Sequence, residues 1–148
     1  MTLEDKDRSD KNEQIDESSK KAIKSALNIL SYADNTAFTL RRKLRAKGYD
    51  AEQTEQAVEY CIDKGFLDEE RMIENAVRSM VHFKKWGVRR IKQELRVKGF
   101  SSDMIESFDF EPYQDEIEEN YNYILEKKGG VLDDKTRAFL LRYGHKLK

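Results

Sequence analysis

The chain has 148 residues, with 28 Lys and Arg against 29 Asp and Glu, one Cys, one Pro and a mean hydropathy of -0.88. That length suits one compact domain or a short array of small units, and a charged share of 39%, against roughly 25% in an ordinary globular domain, predicts a thin, spread-out core. A net charge of -1 points by itself to no nucleic-acid partner, Cys61 has no second thiol for a disulfide, and the longest apolar run, Ala138 to Leu141, is too short for a signal peptide or a membrane span. A single cysteine fits a reducing compartment.

Residues 1–16 are polar, charged and aperiodic, and are expected to form a disordered tail. From there the apolar pattern steps by three and four. Ala22, Ile23, Ala26, Leu27, Leu30 and Ala33 make one stripe, Met72, Ile73, Ala76, Val77, Met80 and Phe83 a second, and Tyr113, Ile117, Tyr121, Ile124 and Leu125 a third. No sustained period-two alternation occurs, so the fold class is all-α. Gly48, Gly65 and Gly99 follow helical runs where a left-handed terminal residue belongs, Asp50, Asp68 and Ser101 stand at N-cap positions, and Pro112 suits a first turn. Eight helices are predicted, over 18–33, 36–47, 51–64, 68–84, 88–98, 101–109, 112–128 and 133–145.

The segment Leu40 to Tyr49 aligns with Ile91 to Phe100 at a constant offset of 51 residues, with seven of ten positions identical or chemically close. A fainter third copy surrounds Leu132, Asp133, Asp134 and Leu140 to His145. The chain therefore divides into the tail at 1–16, three-helix repeats at 17–65 and 66–110, and a partial repeat at 111–148.

Split along this repeat, the near-neutral total resolves into blocks. Residues 21–49 carry +6, 50–83 carry -6, 84–100 carry +6, 101–126 carry -9 and 127–148 carry +5. On helix 36–47 the apolar positions Ala37, Leu40 and Leu44 fall within about 60° of one another, with Arg41, Arg42 and Arg45 opposite. On helix 88–98 Val88, Ile91 and Leu95 are the apolar set, with Arg89, Lys92 and Arg96 opposite. An isolated charge run is a solvated helix face; two copies in register favour a contact surface. A groove-reading helix-turn-helix is disfavoured, because the helix after each basic one carries Glu52, Glu55, Glu59 and Asp63, or Asp103, Glu106 and Asp109, which DNA phosphate would repel.

Phe38, among the arginines, is expected to pack on the preceding helix, and Trp86 to cap the core between helices; partner contact is the competing reading for each. Asp68, Glu69 and Glu70 complement a helix dipole, and His82 and His145 have no acid or nucleophile at an interpretable spacing. No metal site, cofactor or active-site motif is expected.

Lys85-Trp86-Gly87-Val88-Arg89-Arg90-Ile91 through Phe100 resembles the central signature of the RecX family of bacterial recombination regulators. Gly65-Phe66-Leu67-Asp68-Glu69-Glu70 is similar to that family's Gly-aromatic-Leu-Asp-acid element, and Leu40 to Tyr49 to its opening motif. The resemblance spans about residues 20–145. It implies tandem three-helix units in an elongated, curved all-α array, a non-enzymatic cytoplasmic monomer that binds the RecA filament on single-stranded DNA and inhibits its ATPase and strand exchange. The surface expected to meet the filament comprises Arg41, Arg42, Arg45, Lys47, Lys84, Lys85, Trp86, Arg89, Lys92, Arg96 and Lys98, with direct DNA phosphate contact as an accompanying expectation and a stand-alone nucleic-acid-binding helical module as the alternative. Thr39 stands where the family commonly has Glu, which predicts different local capping, and the third unit ends where family members usually continue through another helix.

Overall fold

The computed structural model describes residues 17–148; the predicted tail at 1–16 lies outside the described residues. Among the described residues all regular structure is helical. The chain divides into two compact units, Met1–Asp68 and Glu69–Lys148.

The first unit contains α1 (Glu17–Tyr32), α2 (Ala37–Ala46) and α3 (Ala51–Asp63). Its core gathers Ala22, Ala26, Leu40, Leu44, Ala57, Val58, Cys61 and Leu67. Ala22, Ala26 and Ala57 are fully buried, and side chains this small let α1 pack closely on α3, its main neighbour. The caps follow the residue types. Asp50 accepts from the Gln53 backbone N–H at 2.8 Å while Gln53 Oε1 accepts from the Asp50 N–H at 3.0 Å, a complete capping box. At α2, Thr36 Oγ1 accepts from the Thr39 N–H at 3.2 Å, and the Thr39 hydroxyl donates to the Thr36 carbonyl at 3.1 Å. The Thr39 side chain thus serves this cap as a donor. The loop after α2 is tied to α1 by Tyr49, whose hydroxyl lies 2.8 Å from Ser25 Oγ.

The second unit contains α4 (Glu69–Ser79), a π-helical turn (Met80–Lys84), α5 (Val88–Val97), α6 (Ser102–Ser107), a 3-10 turn (Glu111–Tyr113), α7 (Gln114–Lys127) and α8 (Asp134–Arg142). Its larger core is built from Ile73, Val77, Met80, Val81, Ile91, Leu95, Phe100, Ile105, Phe110 and Tyr113, and a smaller one from Tyr121, Ile124 and Leu140. Ser101 and Asp133 cap α6 and α8 by accepting from the Met104 and Thr136 N–H groups at 3.2 and 2.9 Å.

The predicted helix 68–84 differs from this in one informative way. The turn after Ser79 holds an extra residue, with the Lys85 N–H reaching back five residues to Met80 O. Val81, four residues on from Val77, stays on the inward face as the turn begins, while the wider turn carries Phe83, assigned to the apolar stripe, round to 75% exposure. The turn closes on Lys85 in the left-handed region at φ 58, a conformation usually left to glycine. Asn120 Nδ2 donates to Val81 O at 2.8 Å, and His145 Nε2 lies 2.8 Å from Lys85 O, so residues far along the chain hold this turn in place.

Candidate functional site

The basic residues singled out from sequence sit on two equivalent helices, α2 and α5. Leu40 and Leu44 on one, and Ile91 and Leu95 on the other, are fully buried, which turns the opposite faces outward. Arg41, Arg42, Arg45 and Lys47 are exposed, as are Arg89, Arg96 and Lys98, while Lys92 is half-buried.

The acidic helices reach back onto these faces at matching positions. Arg41 Nε lies 2.6 Å from Glu55 Oε1, with Nη2 3.4 Å from Oε2. Lys92 Nζ lies 3.4 Å from Glu106 Oε2, and Arg96 Nη2 3.6 Å from Glu106 Oε1. Arg41 and Lys92, like Glu55 and Glu106, are related by the same 51-residue offset. Solvent-exposed pairs of this kind are worth at most about 1 kcal/mol, too little to hold a unit together but enough to orient the cations. Each basic face thus has tethered members, Arg41 on α2 and Lys92 and Arg96 on α5. Arg42, Arg45 and Lys47 enter no ion pair among the described residues. The 51-residue offset relates Glu55 to Glu106 in the sequence, but which cations those carboxylates reach is set by the packing of the helices.

Phe38 departs from expectation. It is 60% exposed, because Ala37 and Leu40 take the inward positions and Phe38 lies about 100° round the helix from Ala37. Phe38, Arg42 and Arg45 therefore share a stripe at i, i+4 and i+7.

Lys84, Lys85 and Trp86 belong to the link between the π turn and α5. Trp86 is half-buried against the larger core, with the Arg90 guanidinium 4.6 Å and Lys84 Nζ 5.9 Å from its ring centre. Lys85 Nζ lies 5.1 Å from the Tyr123 ring centre and 3.5 Å from Asn120 Oδ1. Arg90, which sequence reasoning did not single out, also pairs with Glu94 at 3.4 Å and donates to Arg142 O at 3.4 Å. Gly87 is where backbone meets backbone. Its N–H donates to Tyr143 O at 2.7 Å, and a Cβ there would stand 2.4 Å from Gly144 O. The segment around Gly87 thus joins the start of α5 to the end of α8, and its composition is explained largely by that junction.

The two histidines differ. His82 is exposed beside Glu116, at 3.1 Å. His145 is buried and edge-on to Tyr121, and its Nε2–H donates to Lys85 O. Burial pulls its imidazole below the ordinary value, with the Lys85 carbonyl bond acting weakly the other way. A neutral form favoured by folding means that the unfolded chain takes up this proton first as pH falls. Stability is therefore expected to hold above about pH 6.5 and to decline below it, toward the lower folded value. Urea unfolding of His145→Gln and the parent across pH 5 to 8 checks this; the variant should lose that part of the pH dependence. Among the described residues no group of three His, Cys, Asp or Glu is placed to hold a metal ion, and no helix is long and apolar enough to cross a membrane.

Comparison with known proteins bears on this arrangement. The model of the first three-helix domain of RecX matches residues 22–61, and that of the second matches residues 68–107. A protein named regulatory protein RecX from Vibrio vulnificus is 36% identical over 114 residues, covering 77% of this chain and 74% of that protein. The chain belongs to the RecX family. The RecX protein of Legionella pneumophila is 33% identical over 134 residues, 84% of this chain and 86% of its own. In fold, the chain resembles the crystal structure of RecX from Lactobacillus salivarius, with a TM-score of 0.75, 22% identity and coverage of 87% and 89% of the two chains. The RecX models thus fall on the two helix triplets that carry the repeated basic faces, and the curated relatives carry the name of a regulatory protein rather than of an enzyme.

Proposed function

We propose that this RecX-family chain binds the RecA filament on single-stranded DNA and inhibits its ATPase and strand exchange, acting as a non-enzymatic cytoplasmic monomer without cofactor. The observation that carries the reading is the duplicated basic face, α2 and α5, each oriented by an equivalent ion pair to the acidic helix that follows it. A filament presents the same surface at every subunit, and a ligand with two copies of one face can engage it twice, gaining avidity without new chemistry. Arg42, Arg45, Lys47, Arg89, Arg96 and Lys98 carry the contact, Arg96 by giving up its longer, 3.6 Å pairing with Glu106, while Arg41 and Lys92 stay with Glu55 and Glu106. Cations meet DNA phosphate or acidic protein surface, and the acidic helices meet basic protein surface; such complementarity mostly sets encounter rate and register.

The exposed Phe38, on one stripe with Arg42 and Arg45, favours a second reading, a stand-alone nucleic-acid-binding module, since an aromatic ring beside cations can stack on an unpaired base. Fluorescence anisotropy separates the two. With labelled single-stranded DNA, naked or coated with RecA, the expected result is binding to the coated strand at concentrations that leave the naked strand free. Equal binding to naked DNA, weakening with salt by about 0.7 log unit per log unit for each phosphate contacted, selects the second reading.

A further inference from the structure

The second unit also contains a groove that the basic faces do not explain. It has a volume of about 1020 Å³ and lies where the start of α5, the body of α7 and the segment following α8 come together. That volume is at the upper end of the roughly 300–1,000 Å³ of ligand pockets, room for several side chains rather than one. Its lining includes the aliphatic side chains of Val88, Ile117, Leu141 and Leu147, and Leu141 is 46% exposed although it belongs to the most hydrophobic class of residue.

The charged residues of the lining are one-sided. Arg89, Lys92, Lys146 and Lys148 stand against a single acid, Glu118, which is already taken up by Lys148 Nζ at 2.5 Å. Lys92 leans on Glu106, outside the lining. The Arg89 and Lys146 side chains are exposed and enter no ion pair among the described residues. An aliphatic floor beside uncompensated cations matches an occupant with aliphatic side chains and carboxylates. It does not match a nucleic-acid base, because Tyr121 and His145, the two aromatic rings of the lining, are each only 4% exposed and meet each other, with the Lys148 ammonium over the Tyr121 ring.

We propose that this groove docks an acidic peptide segment bearing aliphatic side chains, which lays those side chains on Val88, Ile117, Leu141 and Leu147 and sets its carboxylates against Arg89 and Lys146. The site is built wholly within residues 69–148 and does not depend on the filament reading.

The test is a titration of the full chain into a fluorescein-labelled peptide of leucine and glutamate, followed by anisotropy. A leucine–lysine peptide, a serine–glutamate peptide and an oligo-dT strand serve as comparisons. The leucine–glutamate peptide should bind saturably and the other three should not. Leu141→Glu and Lys146→Glu, both at exposed positions, should each weaken that binding about tenfold, as expected for a part-buried leucine or a rim charge, while circular dichroism and melting stay as in the parent. Absence of binding, equal binding of the serine–glutamate peptide, displacement by oligo-dT, or binding unchanged in both variants would each overturn the proposal. A variant that unfolds is replaced by Leu141→Ser or Lys146→Gln, for which the same loss of affinity is required.

Discussion

Gly144→Ala is expected to destabilise the 69–148 unit by about 3 kcal/mol or more, combining overpacking with a disfavoured backbone conformation. Gly144 has φ +84, and a Cβ built on it would stand 2.2 Å from Arg90 N and 2.8 Å from Arg90 Cα. These are backbone and near-backbone atoms that cannot swing aside. Relieving the clash means parting the end of α8 from the start of α5, which would lose the Gly87 N–H bond to Tyr143 O and the 3.3 Å bond from the Arg89 N–H to Gly144 O. Gly48→Ala is the control. Gly48 has φ +102 but nothing within 4 Å of an added Cβ, so only the conformational term applies, about 1–2 kcal/mol. Trp86 is the only tryptophan and lies in the second unit, so urea unfolding followed by its fluorescence reports on Gly144→Ala, and far-ultraviolet circular dichroism follows Gly48→Ala. Equal losses in the two variants would contradict the close-approach argument.

Arg45→Glu combined with Arg96→Glu is expected to abolish inhibition of RecA while leaving the fold nearly intact. Both side chains are exposed, and surface substitutions usually change stability by no more than about 0.5 kcal/mol each. Arg96→Glu adds a small repulsion, since it sets a carboxylate beside Glu106 where a cation stood 3.6 Å away. Arg45→Glu has no such neighbour among the described residues. Each reversal swaps attraction for repulsion at one copy of the basic face, and the double variant does so at both, so avidity is lost along with affinity. ATP hydrolysis by RecA in the presence of the double variant should match hydrolysis without it, with helicity and melting close to the parent's. Full inhibition by a well-folded double variant would remove these faces from the account, and gross unfolding would make the two arginines structural.

The all-helical class and the helix order could be read from apolar spacing because each helix buries a narrow stripe and ends in a recognisable stop. Gly48, Gly65 and Gly99 take φ of 102, 78 and 94, the left-handed values expected of helix-ending glycines, and Asp50 and Ser101 cap the helices they precede. The π turn was not readable, because the period-3.6 pattern presumes regular hydrogen bonding and cannot register one inserted residue; Phe83, which that pattern places on the apolar stripe, turns outward as a result. Phe38 was misjudged because a first-turn aromatic usually has a neighbour to pack on, and here Ala37 is the residue turned inward. The basic faces were legible from the repeat. Their division into tethered and available cations was not, since it depends on carboxylates of the next helix lying within about 4 Å. Nor could sequence show that Gly87 and Gly144, far apart along the chain, owe their small size to each other.

The central claim, that this RecX-family chain restrains the RecA filament, is tested most directly by the steady-state rate of ATP hydrolysis by RecA on single-stranded DNA as the chain is added. The account predicts a clear slowing at substoichiometric amounts, because a ligand that engages repeated sites affects more than one subunit. An unchanged rate at several-fold excess over RecA would contradict it.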